Sequence, residues 1–254
     1  MPGEESPGIF YEVNTMSKLL ETAKENLTFL LVCLGIILAL SLLSHLAERY
    51  LLPSRRKVSP TRRITIIAMM SALATVLHML DFALPFLAPE FYKLDLSEVP
   101  VLLCGFLLGP SSAVACEGLK ILLKLLLKGT STAFVGDFAN FAVGCTLVLP
   151  AVIVYHVKKT KSTAIWGLAL GTVLMTVFGS IFNAVYLLPK FAQLYGLPLD
   201  TILAMGSAIN PHISSLSTFV LFAVAPLNLI KGVVVSVLTV ALYKRVEKPL
   251  LKTR

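Results

Sequence analysis

Charge is what this chain has least of. Of its 254 residues only 14% are Asp, Glu, Lys or Arg, against 56% apolar ones, and its mean hydropathy is +0.84. Soluble domains carry about 25% charged residues, so the composition excludes an ordinary soluble protein and indicates apolar segments that cross a bilayer. Cysteine is scarce as well. Cys33, Cys104, Cys116 and Cys145 all fall inside apolar runs without C-x-x-C spacing, which excludes a disulfide framework or a zinc site and leaves them as small packing residues. His45, His78, His156 and His212 are scattered with no H-E-x-x-H grouping, so no metal site is expected. The chain has no G-x-x-x-x-G-K-[ST] and no G-x-G-x-x-G, and it is therefore not expected to hydrolyse ATP itself. No serine or cysteine has a histidine at a matching depth, which leaves no catalytic set for an intramembrane transferase or protease. Internal repeats and low-complexity stretches are also missing.

What the chain does have is seven apolar segments. Residues 1–26 are polar and acidic and are expected to form a tail. Residues 27–60 hold an apolar run from Leu27 to about Ala47, followed by Arg49, Arg55, Arg56, Lys57, Arg62 and Arg63 around its end. A cleaved signal carries its positive charge before the run, so this order reads as a retained helix followed by a basic linker. Six further spans are expected at about 64–80, 97–108, 111–127, 136–156, 163–188 and 223–243. The 97–108 span is short for a crossing and ends at Gly109-Pro110.

The basic residues, 22 against 14 acidic ones, lie between spans. That placement argues for membrane topology and against a nucleic-acid partner. One side carries Arg49, Arg55, Arg56, Lys57, Arg62, Arg63, Lys158, Lys159, Lys161, Lys244, Arg245, Lys248, Lys252 and Arg254, and the other only Lys18, Lys24, Lys93, Lys128 and Lys190. Fourteen against five predicts an outside amino end, a cytoplasmic carboxyl end and seven helices. The outer connection from Asp81 to Asp95 is aromatic and proline-rich, and that from Pro189 to about Phe222 is expected to hold a short surface helix.

Depth can be counted along a helix at about 1.5 Å per residue. Lys231 lies about eight residues below the outer start of the last span, Asn228 about five, Asn183 about five below the outer end of the sixth, and Asn140 about four below the outer start of the fifth. All four share a layer roughly 6–12 Å below the outer surface. A lysine at that depth costs about 2.5–3.5 kcal/mol on insertion scales, and such residues face a cavity, a partner or a ligand. Asn228 and Lys231 at i, i+3 share one helix face, as do Asn183, Tyr186 and Leu187. The pattern predicts a pocket open to the outside, the alternative being asparagines that tie helices together. Glu117, Lys120 and Lys124 form an i, i+3, i+7 stripe read as structural. Ala68, Ser71 and Ala72 form a small-residue patch on the first core helix, fit either for tight internal packing or for a partner.

The motifs Leu84-Pro85-Phe86-Leu87, Leu94-Asp95-Leu96-Ser97-Glu98-Val99-Pro100, Gly109-Pro110, Ala139-Asn140-Phe141, Asn183 with Leu187-Leu188-Pro189, and Pro226-Leu227-Asn228-Leu229-Ile230-Lys231-Gly232 occur in this order. Over about residues 62–246 they resemble the riboflavin-specific S component of energy-coupling factor (ECF) transporters. The resemblance implies an all-α, polytopic, six-helix core, here within residues 61–254, that captures riboflavin from outside in the plasma membrane of a prokaryote. It implies no cofactor, and a transmembrane coupling subunit (EcfT) with two cytoplasmic ATPases as partners. It places Asn183, Asn228 and Lys231 in the flavin pocket, and Asn140, Leu94, Phe86, Leu87 and Tyr186 are expected to join them. The alanine face of Ala68, Ser71 and Ala72 is implied as the docking surface. FMN or another vitamin is the alternative ligand. The helix of residues 27–60 is an addition to the resemblance, and Lys93 stands where a small or neutral residue is expected.

Overall fold

The computed structural model describes residues 31–51, 58–130, 132 and 134–251. The expected tail at 1–26, the first turn of the run from Leu27, and Arg55, Arg56 and Lys57 of the basic linker lie outside them. The chain forms two compact units, Met1–Ala39 and Leu40–Arg254. The described part of the first is the opening of helix α1, Leu31–Tyr50, whose side chains Leu31, Val32, Leu34 and Leu38 are exposed and apolar, as on a helix surrounded by lipid.

In the second unit, α2 (Pro60–Met79) starts on Pro60 at its first turn, where a missing N–H leaves nothing unsatisfied. It leads into a two-stranded antiparallel ribbon, β1 (Phe82–Ala83) and β2 (Lys93–Leu94), with Phe82 opposite Leu94 and Ala83 opposite Lys93. Helix α3 (Glu98–Leu108) has 11 residues, every one of them buried. It turns into α4 (Pro110–Lys128) at Gly109, whose φ of 104° suits only glycine. Helices α5 (Val135–Lys158) and α6 (Lys161–Phe182) form the most closely packed pair. A Cβ at Gly167 would lie 2.7 Å from the Ala151 carbonyl, and one at Gly171 would collide with that of Leu147. Two glycines four residues apart therefore let the backbones touch, the main source of helix association where lipid is as apolar as leucine.

Helix α6 continues through a π-helical turn, Asn183–Leu187, into α7 (Leu188–Tyr195). Helices α8 (Leu199–Ile209) and α9 (Leu216–Phe219) follow, then a second π turn, Val220–Val224, and the long α10 (Ala225–Leu251). Each π turn ends two residues before a proline, Pro189 or Pro226. A proline cannot donate to the carbonyl four residues back and its ring crowds that carbonyl. The wider turn, with Leu188 N–H bonded to the Asn183 carbonyl and Ala225 N–H to that of Val220, takes up the mismatch.

The fold is all-α apart from the two-residue strands. Each of the seven expected segments has a helix; α10, and α6 together with its π turn and α7, run further than expected. Among the described residues, five helices are long and apolar enough to cross a membrane: Leu31–Tyr50, Pro60–Met79, Val135–Lys158, Lys161–Gln193 and Leu216–Glu247. Helix α3 begins at Glu98, no earlier than its sequence suggests, and α4 carries four charged residues, so these two complete the bundle from inside. The segments joining α2 to α3 and α6 to α10 pack into their own apolar cluster, with Ala88, Leu188, Ile202, Ile213 and Phe219 at its centre and Phe91 and Tyr92 against it.

Candidate ligand-binding site

At the end of the bundle where α4 stops and α5 starts lies a cavity of about 580 Å³ whose walls come from most of the bundle. His78 comes from the end of α2, Tyr92 to Asp95 from the ribbon, Glu98 from α3 and Lys124 and Lys128 from α4. Asp137, Asn140 and Gly144 come from α5, Asn183 and Leu187 from the first π turn, and Leu227, Asn228 and Lys231 from α10. The short α3 creates the space. Its chain enters the bundle from the ribbon at depth, so Asp95 and Glu98 reach the floor of the cavity.

The floor is an ionic chain. Lys231 Nζ donates to Asp95 Oδ2 at 3.0 Å and to Glu98 Oε1 at 3.1 Å. Asp95 also meets His78 Nδ1 at 3.4 Å and accepts from the Ser97 backbone N–H at 2.9 Å. Lys120, with no exposed surface, donates to Ser97 Oγ at 3.0 Å and Asn140 Oδ1 at 2.9 Å, meets Glu98 at 3.4 Å, and pairs with Glu117. A Cβ at Gly144 would strike the Glu117 carboxylate, so glycine there is what lets α5 close over this pair. Burial raises the Asp95 carboxyl, but Lys231, the His78 ring and Lys120 outweigh it and hold the group well below the usual carboxylate range.

The walls carry the amides. Asn183 is buried, accepting from Tyr92 Oη at 2.6 Å and donating to the Gly179 carbonyl at 2.7 Å. Burial pushes the Tyr92 hydroxyl above its ordinary range, so it remains a donor. Asn140 uses its oxygen on Lys120 and keeps its NH₂ for the cavity. Asn228 makes no side-chain hydrogen bond among the described residues, and its amide packs on Gly179. At the mouth Lys124 pairs with Asp137, while Lys93 and Lys128 share Asp81 at 3.3 and 3.8 Å.

The four residues of the counted layer, Asn140, Asn183, Asn228 and Lys231, thus line one cavity, and Leu94 lines it with them. Phe86, Leu87 and Tyr186 are not among its lining. Phe86 sits on the outward side of the loop, 74% exposed, while Ala88 anchors the inward side. Tyr186 was expected beside Asn183 on α-helical spacing. The π turn, with i to i+5 bonding, keeps Leu187 on the face of Asn183 and turns Tyr186 off it, where it stacks on Phe182 at 5.4 Å. On α2, Ala68 and Ala72 are exposed, whereas Ser71 turns inward to donate to the Cys116 carbonyl at 3.3 Å.

Asp95, Glu98, His78, Tyr92, Lys124 and Asp137 are cavity residues that sequence reasoning did not pick out. The usable signal was charge balance, since three lysines within apolar spans need buried carboxylates, and Asp95 and Glu98 are the pair at the start of α3. Among the described residues no three His, Cys, Asp or Glu side chains group as metal ligands.

Apolar helices around a polar cavity sized for a small organic molecule, within the roughly 300–1,000 Å³ of ligand pockets, define a multi-pass membrane protein that holds a solute. The chain belongs to the family "ECF transporter, substrate-specific component", which it matches over residues 62–243. It is 36% identical over 193 residues to the riboflavin transporter RibU of Staphylococcus aureus (strain TCH60), covering 75% of this chain and 94% of that one. It is 31% identical over 177 residues to the riboflavin transporter FmnP of Bacillus subtilis (strain 168), covering 69% and 87%. A solved structure described as the S component of a bacterial ECF transporter superposes with a TM-score of 0.59 at 34% identity, covering 76% of this chain and all of that one. The chain is therefore a transporter component, not an enzyme, and it works with the other parts of an ECF transporter.

Proposed function

We propose that the chain captures riboflavin from outside the cell for uptake by an ECF transporter. The observation that carries this reading is Asn228, an amide in the cavity wall whose donor and acceptor sides are both unused among the described residues, beside Lys231 on the same helix face. Isoalloxazine presents carbonyl and ring-nitrogen acceptors beside an N–H donor, which an amide and an ammonium match. The names of the relatives, riboflavin transporters in two species, support the same ligand. Asn183, Asn140 and Leu94 join Asn228 and Lys231 as proposed contacts.

Nanomolar capture requires about 12 kcal/mol. Polar contacts contribute about 0.5–1.5 kcal/mol each, or 1.5–3 where charged, so the apolar wall of Phe91, Leu94, Val143, Leu187, Phe191 and Leu227 must contribute the remainder by enclosing the ring. The cavity faces outward and the carboxyl end lies in the cytoplasm, on the distribution of Lys and Arg. The partners are a transmembrane coupling subunit and two ATPases, with the exposed Ala68 and Ala72 of α2 as the docking face. The test is quenching of riboflavin fluorescence by the purified chain in detergent, with FMN, thiamine, biotin and folate as competitors. Absence of flavin binding by folded protein would sink the reading, and stronger competition by FMN would reassign the ligand.

A further inference from the structure

A second cavity, of about 540 Å³, lies at the other end of the bundle. Helices α5 and α10 contribute to both: Asn140 and Lys231 line the first, Tyr155, Lys159, Tyr243 and Lys244 the second. From Asn140 to Lys159 the chain rises about 28 Å, close to the roughly 30 Å hydrocarbon thickness, so the two cavities sit at opposite membrane surfaces.

The rim of this second cavity is basic. Lys159, Lys161 and Lys244 face a single carboxylate, Glu247. Lys159 closes α5 with φ 49° and ψ 42°, a left-handed conformation that glycine or asparagine adopts at less cost. The first N–H groups of α6 beside it add to the positive field. Tyr155 and Tyr243 stand in the wall with their hydroxyls 2.6 Å apart. The Tyr243 hydroxyl also donates to the Glu247 carboxylate, which holds the one acidic group of the rim against the tyrosine pair and leaves the lysines to face outward. Below the rim the floor is apolar, formed by Phe106, Ala164, Val240 and Ala241. Exposed Ile165 of α6 and Val237 of α10 continue it down the lipid-facing surface.

We infer that this cavity seats an anionic phospholipid, its phosphate against Lys159, Lys161 and Lys244 and its acyl chains along α6 and α10. A basic rim over an apolar floor at the membrane surface fits a phosphodiester on two hydrocarbon chains, whereas a soluble phosphate would leave the floor unused. Basic pockets between membrane helices hold such head groups. Only the assignment to the cytoplasmic leaflet rests on the orientation proposed above.

The chain's single tryptophan, Trp166, is 71% exposed and lies about 8 Å along α6 from Lys161, so acyl chains lying on α6 next to the seat come near it. The full chain, without flavin, is reconstituted in phosphatidylcholine bilayers containing brominated-chain phosphatidylglycerol or brominated-chain phosphatidylcholine. Half-quenching of Trp166 is expected at a mole fraction at least threefold lower for phosphatidylglycerol. In K159Q/K161Q/K244Q the two curves should coincide while riboflavin affinity is unchanged. Coincident curves for the unaltered chain, or an undiminished preference in the variant, would overturn the inference. So would loss of the preference in 10 mM inorganic phosphate, which would mark a soluble-anion site. K161Q/K244Q, which leaves the strained Lys159 in place, should lose at least half of the preference and serves if the triple variant does not fold.

Discussion

Removing Lys231 separates two roles that the geometry superimposes. Its Nζ lies 3.0 Å from Asp95 and 3.0 Å from Glu98, whose side chains are only 4% and 1% exposed. Lys231→Met therefore leaves two buried carboxylates short of a cation, and breaking a buried pair in this way costs about 3–5 kcal/mol of stability. Glu98 keeps Lys120 at 3.4 Å and Asp95 keeps His78 at 3.4 Å, which puts the expectation at the lower end, near 3 kcal/mol. If Lys231 also donates to the flavin, a further charged hydrogen bond of about 1.5–3 kcal/mol is lost on binding, or roughly 10- to 150-fold in Kd at 1.4 kcal/mol per decade. The double variant Lys231→Met with Asp95→Asn removes one charge of each sign. Its denaturation midpoint in detergent should recover most of the loss, while its riboflavin Kd, read by fluorescence quenching, should stay at least tenfold weakened. Recovery of affinity along with stability would refute a direct contact and make Lys231 a neutraliser of the floor; a single variant with Kd within twofold of the parent would refute both roles in binding.

Lys120→Met should abolish folded protein in size-exclusion chromatography, because Glu117 and Glu98 lose their shared cation in a site with no exposed surface; adding Glu117→Gln should restore a folded peak. Gly179→Ala places a methyl group about 2.8 Å from Asn228 Nδ2, so riboflavin affinity should fall about tenfold, as for one or two displaced hydrogen bonds, with the denaturation midpoint nearly unchanged. The Asp95 carboxyl is held below its usual range, so its contribution to stability is fully present above the unfolded pKa of about 3.9 and disappears as pH falls through the lower folded value. The midpoint difference between the parent and Asp95→Asn should accordingly hold from pH 7 to about 4 and shrink only below that; shrinkage already at pH 6 would contradict it. Ala68→Leu with Ala72→Leu should leave flavin binding intact and stop flavin uptake by cells producing the whole transporter, since two added side chains prevent close helix approach.

The sequence-level reading and the structure agree best where depth could be counted. Apolar run lengths gave the helices, and the common depth of Asn140, Asn183, Asn228 and Lys231 foretold the shared cavity wall. Two local events escaped that counting. A π turn is not written in periodicity, so α-helical spacing puts Tyr186 on the Asn183 face together with Leu187, and only Leu187 lies there; the proline two residues beyond the turn is the trace it leaves. The partners of the buried lysines were hidden as well, because Asp95 sits in a connection between elements and reaches Lys231 only after the ribbon dips into the bundle. Phe86 shows the limit for loops: an aromatic in a proline-rich turn has two sides to choose from, and Ala88 took the inner one.

Helix α3 explains where the binding volume comes from. A full crossing needs about 20 residues, and α3 has 11. The nine or so missing residues correspond to about 13 Å of a cylinder about 10 Å across, near 1,000 Å³, which the entering loop and a cavity of about 580 Å³ divide between them. The ligand therefore stands in as the absent upper half of a central helix. Its surroundings are the same neighbours that would otherwise pack against that helix, and they keep their close packing below it. A change in ligand size would then be met by starting α3 a turn earlier or later, with the rest of the bundle unchanged.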